Sequence, residues 1–65
     1  MANMAIERVK IGRSVWYWNR DKRMVYRCQY AAQGEAMAAR GEERDVVEYK
    51  GGYFVKYGRG YIRIA

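Results

Sequence analysis

The stretch Tyr53-Phe-Val-Lys-Tyr-Gly-Arg-Gly-Tyr-Ile-Arg63 interleaves flat aromatic rings with fixed positive charges. Phe54, Lys56, Arg59, Tyr61 and Arg63, joined by Tyr17, Arg27 and the basic run Arg20, Lys22 and Arg23, form the candidate contact set. Rings of this kind stack on unpaired bases while cations neutralise phosphates, which is the chemistry of a sequence-tolerant single-strand platform. Cations alone would track duplex phosphates without reading bases. The same residues also allow a plainer reading, in which tyrosine serves as core, lysine guards strand edges and the basic run is a solvated turn.

Catalysis is argued against by what is missing. The chain has no histidine and no threonine, and Ser14 is its only serine, so the usual nucleophile-and-base arrangements cannot be assembled. Cys28 falls in an apolar strand pattern and reads as a buried, inert thiol. Glu42, Glu43 and Asp45 are close in sequence, but Arg44 lies among them and their connector setting reads as a solvated loop. Glycines 51, 52, 58 and 60 match no phosphate-cradling loop and read as turn residues. The expectation is a non-enzymatic protein with no metal and no cofactor.

At 65 residues the chain is one domain, 1–65, of the size that hides only about 60% of its unfolded surface. A formal charge of +6 attracts polyanions: nucleic acid first, then an acidic protein surface or anionic lipid. One cysteine and no histidine leave no internal disulfide and no Cys/His zinc site, which fits a reduced, cytoplasmic setting. No apolar run is long enough to cross a bilayer, and Met1-Ala-Asn-Met-Ala lacks the pattern of a signal peptide, so no membrane partner is expected.

These residues need elements to position them. Ile6 to Ile11 reads as a first strand, with Gly12 as the bend after it. Ser14–Trp18 and Met24–Tyr30 flank the polar Asn19–Arg23 in a hairpin signature. An odd loop there places Trp16 and Trp18 with Met24, Tyr26, Cys28 and Tyr30, whereas an even loop places Arg27 beside the tryptophans. Burying that charge is unfavourable, so the odd loop is expected. The alanine-rich Ala31–Gly41 segment predicts a short helix over about 34–40, with Gly34 as N-cap, Gly41 as C-terminal glycine, and Ala32, Ala36, Ala39 and Met37 packed on a sheet.

A second hairpin follows over Val46–Lys50 and Tyr53–Tyr57. A three-residue loop of Lys50, Gly51 and Gly52 groups Val47, Tyr49, Tyr53, Val55 and Tyr57 as core and leaves Glu48 and Lys56 outside. An Arg59-Gly60 turn then adds Ile62 and Ile64 to that core, with Glu48, Phe54, Lys56, Tyr61 and Arg63 facing outward. The fold class expected is α+β: a small, curved antiparallel sheet of 4–6 strands, with one short helix between two β-hairpins covering one face, the tryptophan side if the candidate contacts are to stay open. The alternative is a small all-β barrel of the SH3 or OB kind.

Lys-Tyr-Gly-Arg-Gly-Tyr at 56–61 is similar to the aromatic and glycine alternation of RNA-recognition domains, a fold that needs two helices and more length. The order of hairpin, alanine helix with Glu35-Ala-Met-Ala-Ala39, and hairpin with Lys-Gly-Gly-Tyr at 50–53 resembles the layout of some anti-CRISPR proteins of phages and mobile elements. That resemblance implies binding to a host nuclease complex, through protein contacts or through the nucleic acid itself. Three functions are therefore expected in this order: a nucleic-acid-binding module, a phage-type protein-binding inhibitor, and a structural subunit that forms homo-oligomers through exposed strand edges.

Overall fold

The computed structural model describes residues 6–65; the start of the chain read above for a signal peptide lies outside them. Six strands follow one another as an antiparallel meander: β1 (Ile6–Ile11), β2 (Ser14–Asn19), β3 (Met24–Tyr26), β4 (Glu43–Tyr49), β5 (Gly52–Tyr57) and β6 (Gly60–Arg63), each paired with its sequence neighbours. One turn of helix, α1 (Gln29–Ala32), sits between β3 and β4. With so little helix the molecule is mostly β, and an all-β description serves as well as α+β.

The sheet curls into a half-barrel. β2 and β5 are three strands apart, about 14 Å in a flat sheet, yet the Trp18 and Tyr53 rings meet edge to face at 5.1 Å between centroids. The concave face holds the main core of Ile11, Trp16, Trp18, Val25, Val46 and Val55, with Val9, Tyr53, Ile62 and Ile64 packed against it. Both tryptophans are therefore core.

Turn chemistry sets the registers, and it departs from the expectations three times. The β2–β3 loop has four residues, pairing Trp18 with Val25 and Tyr17 with Tyr26. The even loop wins because Arg27 lies beyond the last pair of β3 and stays exposed, with its guanidinium 5.6 Å from the Trp16 ring centroid. The feared burial of charge does not arise, and fully buried Val25 takes the place beside Trp18. The β4–β5 turn is Lys50-Gly51, both at positive φ (49° and 80°), the type I′ pattern that suits a two-residue hairpin. Glu48 therefore shares the concave face with Val46, Tyr53 and Val55, while Val47 and Tyr49 move to the convex face. The β5–β6 turn is Gly58-Arg59, with only Gly58 at positive φ. This shifts the pairing by two residues from an Arg59-Gly60 turn, so every side chain keeps its face.

The helix also falls elsewhere. It ends, rather than begins, at Gly34: the Gly34 N–H donates to the Ala31 carbonyl (3.1 Å) and the Glu35 N–H to the Tyr30 carbonyl (2.8 Å), with Gly34 at φ 80°. That is a Schellman closure, and only glycine takes its left-handed position without strain. Residues 35–39 are irregular, and Met37 is exposed instead of packed. Cys28 precedes the helix and is exposed, not buried, because β3 ends at Tyr26.

α1 covers the convex face and not the tryptophan side. Ala31 and Ala32 pack with Tyr26 over Ile6, Tyr17 and Met24, forming a second small core. Buried Asn19 fixes this layer: its amide donates to the Ala32 carbonyl (2.9 Å) and its carbonyl oxygen accepts from the Lys22 N–H (3.1 Å).

Candidate functional site

Because α1 covers only the half of the convex face formed by β1–β3, the half formed by β4–β6 stays open. Register brings its side chains into cross-strand rows. Val47, Phe54 and Arg63 form one row and Lys56 and Tyr61 the next, with Tyr49 beside Gly52 at the far end. Neighbouring strands lie about 4.8 Å apart, and same-face residues of one strand about 7 Å apart. The rings of Tyr49, Phe54 and Tyr61 thus span a short platform with Lys56 and Arg63 set among them.

Tyr49 and Tyr61 are 61% and 62% exposed, which leaves their ring faces free to stack. Tyr49 meets Phe54 edge to face at 6.5 Å, and the Lys50 ammonium lies 5.4 Å from the Tyr49 ring. Val47, Tyr49, Phe54 and Tyr61 line a shallow apolar groove of about 450 Å³. A second hollow of about 310 Å³ continues from it past Val47 and Tyr61 to Glu43, Arg44, Asp45 and Lys56, so one end of the face is of mixed charge.

Gly52 has a specific part in this arrangement. A β-carbon there would stand 3.0 Å from the Phe54 ring and 3.1 Å from Nε of Arg63. The bare backbone lets both side chains lie down across the strand, and Arg63 Nε donates to the Ala65 carbonyl at 2.9 Å.

The remaining candidates do not join this platform. Tyr17 is half-buried, packed against the Tyr26–Ala31–Ala32 core beneath α1. Arg27 is on the concave side over Trp16, not beside Tyr17. Arg20 is committed elsewhere: its guanidinium pairs with the Glu7 carboxylate and lies 4.0 Å from the Trp18 ring centroid and 5.2 Å from that of Tyr53. The Glu7 hydrogen bond is the main cause that raises its pKa above the ordinary arginine value. Lys22 points toward Gly34, and Arg23 edges a concave hollow with Val46 and Glu48. Arg59 is exposed in the β5–β6 turn, at the opposite end of the sheet from Arg20, Lys22 and Arg23.

Of the ten candidates, Phe54, Lys56, Tyr61 and Arg63 are brought together. Tyr49, Val47 and Lys50 belong with them and were missed. The signal was Lys50-Gly51 itself: a glycine second in a two-residue loop marks a type I′ hairpin and puts Tyr49 on the face of Phe54.

Among the described residues no His/Cys/Asp/Glu group is placed to hold a metal ion, and no helix is long and apolar enough to cross a membrane. Comparison of the chain with protein-family models, curated proteins and solved structures returns no match.

Proposed function

We propose that this protein binds single-stranded nucleic acid, alone or within a nucleic-acid–protein complex, on the open convex face of β4–β6. The observation that carries the reading is the placement of Tyr49, Phe54 and Tyr61 on one uncovered sheet face with Lys56 and Arg63 between them. Bases stack on the rings and phosphates meet the cations, a mode worth about 1–3 kcal/mol per stacked base and tolerant of sequence. The +6 charge brings the polyanion to the surface and makes binding fall steeply with salt. The protein acts as a binder rather than an enzyme, in a reducing cytoplasm where exposed Cys28 remains a thiol.

Gel shifts at low salt with single-stranded DNA, single-stranded RNA and duplex test this. Binding at micromolar protein is expected for the single strands, and silence from all three ends the proposal. Lys56→Glu with Arg63→Glu abolishes binding while the folded spectrum is retained, since both side chains are exposed.

The apolar character of the Val47–Tyr49–Phe54–Tyr61 groove favours a second reading, a phage-type inhibitor whose aromatics anchor in a protein of a nuclease complex. Capture from a bacterial lysate separates the two. Partners lost on nuclease treatment belong to the first reading, and partners that survive belong to the second.

A further inference from the structure

Strand β4 changes partner midway, and the change opens a second site on the other face of the sheet. Glu43, Arg44 and Asp45 pair with β3, while Val46 to Tyr49 pair with β5. Beyond Val55, β5 pairs only with β6, so Lys56, Tyr57 and Gly58 part from the start of β4. On the concave side the seam opens into a hollow of about 540 Å³, lined by Ser14, Trp16, Arg44, Lys56 and Tyr57. That volume lies within the range of small-molecule sites.

Its chemistry is one-sided. No carboxylate lines it. Arg44, 5.3 Å from the Trp16 ring centroid, and Lys56 are its two lining cations; Arg27, 5.6 Å from the same centroid, does not line it. Arg44 is oriented by bonds from Nη1 to the Gly41 carbonyl (2.9 Å) and the Glu43 carbonyl (3.4 Å), leaving the rest of its fork of donors to other acceptors. Tyr57, 52% exposed, is set over Gly12 so closely that a β-carbon there would fall 2.4 Å from its hydroxyl. One wall is therefore flat and aromatic, and the other is cationic.

We infer that this concave hollow binds a nucleoside phosphate, with its phosphate on Arg44 and Lys56 and its ring against Tyr57 at the edge of Trp16. Fixed guanidinium donors suit phosphate oxygens, and an aromatic wall suits a base. The same chemistry comes from a free nucleotide or from the phosphorylated end of a strand. The site is distinct from the platform of Tyr49, Phe54 and Tyr61; Arg44 and Lys56 are shared with the hollow that adjoins that platform.

Titration calorimetry of the full chain with AMP, with adenosine, and with a short oligonucleotide carrying or lacking a 5′-phosphate tests the inference. AMP is expected to bind and adenosine to bind at least about tenfold more weakly, the weight of one charge-assisted hydrogen bond. A tenfold advantage of the 5′-phosphorylated strand identifies a strand end as the ligand, and AMP binding without that advantage identifies the free nucleotide. Arg44→Gln and, separately, Tyr57→Leu each weaken AMP binding, while Tyr49→Ala with Phe54→Ala leaves it unchanged and impairs only single-strand binding. No heat from AMP or from the phosphorylated strand at millimolar ligand overturns the inference, as does equal binding of adenosine. Unchanged AMP affinity in both Arg44→Gln and Tyr57→Leu overturns it too.

Discussion

Gly12 and Gly51 occupy left-handed backbone at φ 64° and 80°, but their surroundings differ. A methyl group at Gly51 meets nothing within 4 Å, whereas at Gly12 it meets the Tyr57 hydroxyl. Gly51→Ala therefore reports backbone strain alone, of order 1 kcal/mol or somewhat more. Gly12→Ala adds displacement of the Tyr57 ring, so its midpoint in urea unfolding falls further. Combining Gly12→Ala with Tyr57→Leu is expected to cancel part of that excess; strict additivity would show that the two do not touch.

Tyr26 carries the one pH dependence with a clear sign. Burial first, and the Glu43 carboxylate opposite it second, hold its phenol above the ordinary 10.0. With the folded value raised, the stabilisation from neutral Tyr26 is whole below pH 10 and is lost as pH climbs through the folded value. Melting temperatures from pH 8 to 11.5 should decline at the alkaline end, and Tyr26→Phe should flatten the decline. Residue identity alone gave the tryptophans as core; Tyr26, expected on their face, is buried on the convex face against Ala31 and Ala32. Arg27 was missed because a cation can sit beside a tryptophan at the solvent edge without being buried.

At the scale of elements, the strands were legible and their registers were not. Alternation locates Ile6–Ile11 and the C-terminal hairpins to within a residue or two, but parity rests on which two residues make the turn. Lys50 at φ 49° is the case that misled, since a β-carbon is disfavoured there and asparagine is the residue that tolerates it. Lys50→Asn should accordingly raise stability by about 0.5–1 kcal/mol in denaturant unfolding, the scale of a relieved left-handed strain. The helix was misplaced because alanine content marks where a helix is affordable, while Gly34 and the packing of Ala31 and Ala32 on Tyr26 decide where it stops. Asn19 binds that turn of helix to the sheet. Asn19→Ala leaves the Ala32 carbonyl without the amide donor and should cost about 1–3 kcal/mol, with amide exchange faster over residues 29–34 than in β5.

At the scale of the whole molecule, the half-barrel leaves two sheet edges unpaired among the described residues, β1 and β6. Both carry like charge, Arg8 and Lys10 on one and Arg63 on the other, with Arg59 beside it. Edge-to-edge pairing between copies is thus opposed by repulsion, the usual guard against sheet extension. Sedimentation should show a monomer at low salt, and any association should grow as salt is added, the reverse of the trend for polyanion binding. A monomer at low salt that stays monomeric in molar salt would rule out assembly through the edges. A curved sheet was the expectation and is found, but how far it closes was not readable beforehand, because closure rests on contacts between strands far apart in order, such as Trp18 with Tyr53.

The strict meander order has a kinetic consequence. Every strand pairs with the one before it, and every step closes a loop of two to four residues except β3 to β4, which must close the sixteen residues 27–42 around α1. β1, β2 and β3 can zip as they leave the ribosome. Yet neither the Trp18–Tyr53 contact nor the seat of Tyr57 over Gly12 exists until β5 has been made. Burial of the tryptophans is therefore a late event, and in stopped-flow refolding their fluorescence change should trail the formation of strand structure.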